Sequence, residues 1–300
     1  MLARQKEEIE LKNTELNAAF EEIKRQNKNI TDSIEYAERI QNALLPPVEM
    51  LKTMVPESFI FLRARDIVSG DFFWANRYFK DSSGRIYPID SKDIPSDANP
   101  LTILACIDCT GHGVPGAFMS MIGFNLLEKL IRKNITDPGK LLTALHQSIR
   151  KALKQQVNRN NDGMDMSICL IDERSMVLEY AGARNPLIIS EEQNIRIVKG
   201  DGVSIGGIQF EAERVFNTKQ IKIRKGMKFY MYSDGYIDQF GGPEPFKYTS
   251  ARLRSFIKEI CSLSMDEQGR RFEKEFDLWR GEQPQLDDVL VMGFSFDKQS

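Results

Sequence analysis

The chain has 300 residues, 41% hydrophobic and 28% charged, which supplies a sizeable core and argues against global disorder. A net charge of −2 leaves no basic field to gather nucleic acid or anionic lipid. The longest unbroken apolar run, 103–107, is far too short to span a bilayer, and the first residues lack the apolar core of a secretory signal, so a cytoplasmic protein without a membrane segment is expected.

Residues 1–45 differ from all that follows. Leu2, Ile9, Leu16, Ile23, Ile30, Ala37 and Leu44 recur at every seventh position. Four residues after the first six of these come Lys6, Asn13, Phe20, Asn27, Ile34 and Gln41. That alternation of four and three is the seam of a coiled coil, the first set at d and the second at a. Asn13 and Asn27 fall in the seam, where polar residues fix register and partner number at some cost in stability. An amphipathic helix packed on its own domain is the competing reading. The narrow seam, with faces rich in Glu, Lys, Gln and Asn around it, favours a homodimer through residues 1–45. Such a helix would be roughly 65 Å long, and Pro46-Pro47 would stop it. The expected division is a coiled-coil helix over 1–47, for dimerisation or signal relay, and a second unit over 48–300.

Beyond the prolines, strand-like runs fall at 59–64, 71–78, 101–109, 166–171, 176–180, 187–190, 195–198, 227–232 and 289–296. Helical runs fall at 115–133, 138–157, 250–262 and 265–279. Hairpin-like strand runs around a pair of adjacent helices predict an α+β fold, antiparallel sheets with helices outside, and no repeating βαβ pattern. Residues 88–100, with three prolines, read as a surface loop. Cys106 and Cys109 form a C-x-x-C, but no second Cys/His pair stands at zinc spacing, so buried, reduced strand cysteines are expected, with no disulfides.

Four aspartate-bearing segments sit at the edges of apolar strand runs: Val68-Ser69-Gly70-Asp71, Asp108-Cys109-Thr110-Gly111-His112-Gly113, Ser233-Asp234-Gly235 and Asp287-Asp288. Carboxylates packed together repel unless a cation neutralises them, and hard divalent ions take oxygen ligands. Two such ions activate a water and clamp the oxygens of a phosphoryl group. Singly, a Ser-Asp-Gly is usually a turn and an Asp-Asp pair usually solvated surface. Four segments in one chain make a metal-dependent phosphate hydrolase the leading reading. Ser69-Gly70-Asp71-Phe72-Phe73 also looks like the signature of diguanylate-forming cyclases, but that leaves Asp108, Asp234 and Asp287 unexplained.

Asp108-x-x-Gly-His-Gly followed by Val114-Pro115-Gly116-Ala117, then Tyr232-Ser233-Asp234-Gly235 and Asp287-Asp288-Val289, resembles the metal-dependent (type-2C, PPM-type) protein serine/threonine phosphatases. The Ser69-Gly70-Asp71-Phe72-Phe73 segment is similar to the first acidic motif of their bacterial branch, typified by stage II sporulation protein E. The resemblance covers roughly residues 55–297. It implies an α-β-β-α sandwich of two antiparallel sheets and a pair of Mn²⁺ or Mg²⁺ ions at one end. By the same resemblance Asp108 bridges the two ions and the carbonyl of Cys109 adds a ligand. Asp234 and Asp287 complete the second ion's site, and Asp71 holds the first directly or through water. The implied substrate is a phosphorylated protein, such as a STAS-type anti-anti-sigma factor of a partner-switching pathway.

Asp288 is expected to support Asp287 and not to bind metal. His112 does not match the position of the histidine in eukaryotic relatives and reads as part of the loop structure or its surroundings. His146 reads as structural. The arginine that binds substrate phosphate in eukaryotic relatives has no matching position; Arg63 and Arg65 are the nearby cations in sequence. Leu290 replaces a threonine frequent in this branch, a packing change. Two other functions share these features. A non-catalytic docking module would be expected to lose a metal aspartate, and all four are present; a small-molecule phosphohydrolase differs only in its pocket walls.

Overall fold

A computed structural model of the chain describes residues 2–244 and 246–296. It opens with α1 (Leu2–Leu44), α2 (Val48–Met54), β1 (Ser58–Arg63), β2 (Phe72–Lys80), β3 (Ile86–Pro88) and β4 (Asn99–Cys109). Next come α3 (Gly113–Ile131), α4 (Pro138–Ala152), β5 (Gly163–Asp172), β6 (Val177–Ala183), β7 (Leu187–Glu191), β8 (Asn194–Val198) and β9 (Ile205–Gly206). The chain continues with β10 (Lys219–Lys222), β11 (Lys228–Tyr232), α5 (Asp234–Asp238), β12 (Phe240–Gly241) and β13 (Phe246–Lys247). It closes with α6 (Thr249–Ile260), α7 (Met265–Arg280) and β14 (Val289–Ser295).

Two antiparallel sheets stack face to face. One has the order β1-β14-β11-β7-β8; the other runs β10-β6-β5-β4-β2-β3, with β9 paired to β5. Alternation along each strand sorts side chains between layers. On β4, Leu104 and Cys106 enter the core between the sheets, while Ile103, Ala105 and Ile107 meet the apolar faces of α3 and α4. On β14, Leu290, Met292 and Phe294 enter the same central core, while Val289 and Val291 meet α6 and α7. Each Leu, Ile, Val, Met or Phe among them, fully buried, contributes roughly 1.5–3 kcal/mol. The architecture is the α-β-β-α sandwich that the sequence predicts, and Leu290 is a packing residue of its central layer.

The same alternation separates the C-x-x-C pair. Cys106 faces the other sheet and Cys109 faces α3, so the two thiols point to opposite sides of β4. All four cysteines are free and buried. Among the described residues, α3 has the length and composition to cross a membrane, a property that counting unbroken apolar runs does not register. Its apolar positions Met119, Leu127, Leu130 and Ile131 instead form part of the core under the second sheet.

α1 runs 43 residues without interruption. Ile9, Leu16, Phe20, Ile23 and Ile30 are each more than half exposed. Only towards its C-terminal end does the helix meet α3, and there Gln41 becomes buried. Pro46-Pro47 separate it from α2, whose N-cap is Pro47 in extended backbone. α4 ends at Ala152, short of the predicted 157. Lys154 there takes a left-handed φ of 52°. The turn lets Gln155 reach the Asp162 carbonyl and the Gly207 N–H, a tertiary gain that local helix propensity does not see. The short β3, β9, β10, β12 and β13, and the helices α2 and α5, lie outside the predicted elements; each is too brief to show a period.

Candidate active site

The fold gathers the four aspartate segments at one end of the sandwich. Asp71 immediately precedes β2, and Asp108 is the penultimate residue of β4, its antiparallel neighbour. Asp234 opens α5 directly after β11, and Asp287 precedes β14, the neighbour of β11 in the facing sheet. Cross-links between these segments are direct. The Asp234 N–H points to Asp108 Oδ2 at 3.4 Å, and the side chain of Ser233 bonds Asp71. Ser233 and Leu290 exchange two hydrogen bonds of 2.9 Å, which lock the Asp234 turn to the strand behind Asp287.

Glycines make this convergence possible. A Cβ on Gly116 would stand 2.2 Å from the Gly111 carbonyl oxygen, and one on Gly70 2.5 Å from the same atom. Three backbones, from the Asp71 loop, the Asp108 loop and the start of α3, therefore touch with no room for a side chain. Gly111 itself has φ +84°, which favours glycine.

Asp288 is buried and fully engaged. Its Oδ1 accepts from Arg65 N at 2.7 Å and its Oδ2 from Gly70 N at 2.7 Å, so it pins the loop that carries Asp71. Its carboxylate thus supports the Asp71 loop and not, as expected, its neighbour Asp287, to which only its backbone N–H is bonded. Asp287 is exposed, and its Oδ1 accepts the Asp288 N–H at 2.8 Å. His112 pairs through Nδ1 with Asp66 Oδ2 at 2.8 Å, tying the Asp108 loop to the β1–β2 connection. His146 accepts from Gly206 N and contacts Gln209, a structural setting. Arg63 is committed elsewhere: it bonds Asp277 and Glu273 of α7 and lies over the rings of Phe61 and Phe276. Arg65 donates to the Leu286 carbonyl. Cys109 turns its thiol into the core.

Charge is crowded here. Burial, then the charges of Asp288, Asp287 and Asp234, push the Asp71 carboxyl well above the ordinary range against its bond to Ser233. Asp108 is likewise pushed well up, first by burial and then by Asp71 and Asp234. Asp234, exposed on its outer side, is raised by the protein beneath it and then by Asp287 and Asp238. One oxygen of Asp71 and one of Asp165 are buried without a hydrogen-bond partner. Orphaned carboxylate oxygens are costly, and a hard cation is a partner that satisfies several at once.

Among the described residues, no three His, Cys, Asp or Glu side chains already close around one point. A Mg²⁺-like ion keeps several waters and takes one or two carboxylates, whereas structural zinc demands a closed N/S shell. The donor set, all oxygen and unevenly exposed, fits small hydrated cations.

Two participants escape the sequence reading. Asp165 lies on β5 directly opposite Asp108, and its charge bears on both Asp108 and Asp234. Its trace in the sequence is an acid near the start of a mostly apolar strand. Gln41, at the base of α1, donates to the Ser69 carbonyl at 2.6 Å and to Ser120 Oγ at 2.9 Å, and accepts from Ser69 N at 3.1 Å. Its position in a heptad pattern concealed that role.

Residues 101–297 match the family described as Stage II sporulation protein E (SpoIIE). Among solved structures, the SiaA-PP2C domain of Pseudomonas aeruginosa is similar at 29% identity, over 90% of this chain and 98% of that one, with a TM-score of 0.75. The RsbU and RsbW domains of a Mycobacterium tuberculosis protein share the fold at 19% identity, over 80% of this chain and 60% of that one, with a TM-score of 0.56. The PP2C phosphatase domain of SpoIIE from Bacillus subtilis, with a fragment of its regulatory domain, does so at 20% identity, over 80% and 71%, with a TM-score of 0.53. No curated protein matches the chain by sequence.

Proposed function

The chain belongs to the stage II sporulation protein E family of PP2C-type phosphatase domains, and from that premise we propose that it is a Mn²⁺- or Mg²⁺-dependent phosphoprotein phosphatase acting on phosphoserine or phosphothreonine. The observation that carries this reading is the convergence of Asp71, Asp108, Asp234 and Asp287, from four separate segments, around a buried and unpartnered carboxylate oxygen of Asp71. Two bound ions would supply an activated water and neutralise the phosphoryl oxygens. Asp108, whose charge neighbours are Asp71 and Asp234, would hold the ions together with the carbonyl of Cys109. Asp71 forms the floor. Asp234 and Asp287, at the exposed rim, would hold the second ion where a protein-borne phosphate can reach it. Asp288 fixes the loop of Asp71 through two backbone N–H groups and keeps that floor still.

The substrate in this reading is a phosphorylated protein of the STAS anti-anti-sigma type, which the family resemblance supports. Residues 1–47 serve as the dimerisation and relay helix, and 48–300 as the catalytic unit.

The test is turnover of p-nitrophenyl phosphate and of a phosphorylated STAS protein, side by side, in chelator and after metal addition. Activity is expected to vanish in EDTA and to return with Mn²⁺ more readily than with Ca²⁺, which prefers more ligands and a looser shell. Full turnover in excess EDTA, with no retained metal detected, would remove the two-metal reading.

A further inference from the structure

Outside the carboxylate cluster, register, backbone and charge single out Arg184. Asp108 stands opposite Asp165 across β4 and β5, and Met166 stands opposite Ala183 across β5 and β6. One step further along the second ladder, Arg184 follows Ala183 as Asp165 precedes Met166. Arg184 thus leaves the end of β6 next to Asp165, the residue that stands opposite Asp108. The Arg184 charge reaches Asp165.

The turn that carries Arg184 is held from behind. Ala183 bridges Asp201, and the Arg184 N–H donates to the Asp201 carbonyl at 2.8 Å. The buried Tyr180 hydroxyl donates to the Asn185 carbonyl at 2.6 Å. A Cβ on Gly182 would meet that hydroxyl at 2.1 Å, so the turn has no slack. Arg184 sits here at φ 58°, a left-handed conformation that a long side chain adopts where its surroundings impose it. Finally, Arg184 is exposed, and its guanidinium has no hydrogen bond or ion pair among the described residues. Arg63, Arg77, Arg214 and Arg224 are all ion-paired, and Arg65 is tied to a carbonyl.

We propose that Arg184 receives the phosphate dianion of the substrate at the β6 side of the aspartate site. The inference rests on the phosphatase reading and names a binding residue that reading lacks. A phosphate approaching a ring of carboxylates needs a fixed positive group, and a guanidinium offers two parallel N–H donors to two phosphate oxygens. The charge of Asp165 attracts the arginine towards the aspartate site, and the anchored turn fixes the backbone from which its side chain reaches.

The test uses the full chain with Mn²⁺ and inorganic phosphate, followed by calorimetry and by inhibition of p-nitrophenyl phosphate turnover. Arg184→Asn removes the charge while keeping a residue that tolerates the left-handed backbone; Arg184→Lys keeps the charge without the fork. Phosphate affinity is expected to fall roughly ten- to a hundredfold in Arg184→Asn, the range of a charge-assisted pair, with Arg184→Lys in between. KM should rise in parallel while kcat stays within a few-fold, and the Mn²⁺ concentration for half-activation should not move. Unchanged phosphate affinity and KM in Arg184→Asn would overturn the proposal, as would an equal shift in Mn²⁺ requirement. If Arg184→Asn does not fold, wild-type phosphate affinity in Arg184→Lys overturns it instead. A wild-type protein that binds phosphate without turnover, and loses that binding in Arg184→Asn, keeps Arg184 and sinks the phosphatase reading.

Discussion

The two ends of α1 carry one seven-residue pattern into different surroundings. At Ile9, Leu16 and Ile23 the seam faces solvent, with side chains 60%, 67% and 56% exposed. At Gln41, an a position of the same seam, the side chain is 4% exposed and makes three hydrogen bonds to its own domain. The upper seam is thus left for another surface, for which we propose a second copy of the chain. The lower seam is filled from within. Its contact is the backbone of Ser69, two residues before Asp71, so the base of the helix and the floor of the site share one loop. For a helix exposed at one end and bonded to the site loop at the other we propose a relay, in which a partner on the upper seam shifts the angle at which Gln41 meets Ser69.

The largest effect should come from the site on which that relay ends. Asp108→Asn is expected to abolish turnover with the fold intact, because the ions that would activate the water lose their shared ligand. The same variant tests the crowding of charge. Burial first, and neighbouring carboxylates second, raise Asp71 and Asp108, so the metal-free folded protein holds protons that the unfolded chain releases. Stability from that source is complete below the ordinary carboxylate range and is lost as pH rises through the raised values. The metal-free melting temperature should therefore fall as pH climbs above about 4, Mn²⁺ should flatten the fall, and Asp108→Asn should melt higher than wild type at pH 7 without metal. Near-wild-type turnover in Asp108→Asn would place the bridging ligand elsewhere. A metal-free melting curve indifferent to pH would show that the cluster is not strained.

Gln41→Ala is expected to act at intermediate size. It leaves the buried Ser69 N–H without its partner, at about 1–3 kcal/mol, and its carbonyl with only the 3.5 Å contact from Ser120 Oγ. Melting should drop by several degrees, and kcat should fall while KM for p-nitrophenyl phosphate holds, because the floor and not the rim is disturbed. Wild-type kcat in a folded Gln41→Ala protein would reduce the lower seam to plain packing.

Layers were legible in the sequence, and lateral neighbours were not. The runs 101–109 and 289–296 read as apolar strands, and the four aspartate segments announced themselves at strand edges. Asp165 did not, because its meaning comes from lying opposite Asp108 across β5, a register that no local pattern encodes. Gln41 was misleading for a related reason: the heptad assigned it a seam position correctly, but a periodic pattern states which face is buried and not against what. Arg63 shows the reverse case. Eight residues before Asp71 in the chain, it is drawn off to Asp277 and Glu273 by α7, whose placement only the assembled sheet decides.

The smallest effect on the isolated reaction should come from the upper seam. Leu16→Asp with Ile23→Asp places like charges in the contact that a second copy would make and touches nothing in the domain. Asn13 and Asn27 would meet their own counterparts in a parallel pair, each amide finding a partner across the axis. Parallel pairing also sets both phosphatase units at the same end. Light scattering at tens of micromolar is expected to give a dimer for wild type and a monomer for the double variant. Melting of the domain should be unchanged, since neither side chain is buried in it, and kcat should move only a few-fold. Removing residues 1–47 would not answer the question, because it takes Gln41 away together with the seam. A monomeric wild type defeats the dimer. A double variant that is monomeric with wild-type kinetics keeps the dimer and strips α1 of its relay role, leaving Gln41 as a local brace for the Asp71 loop.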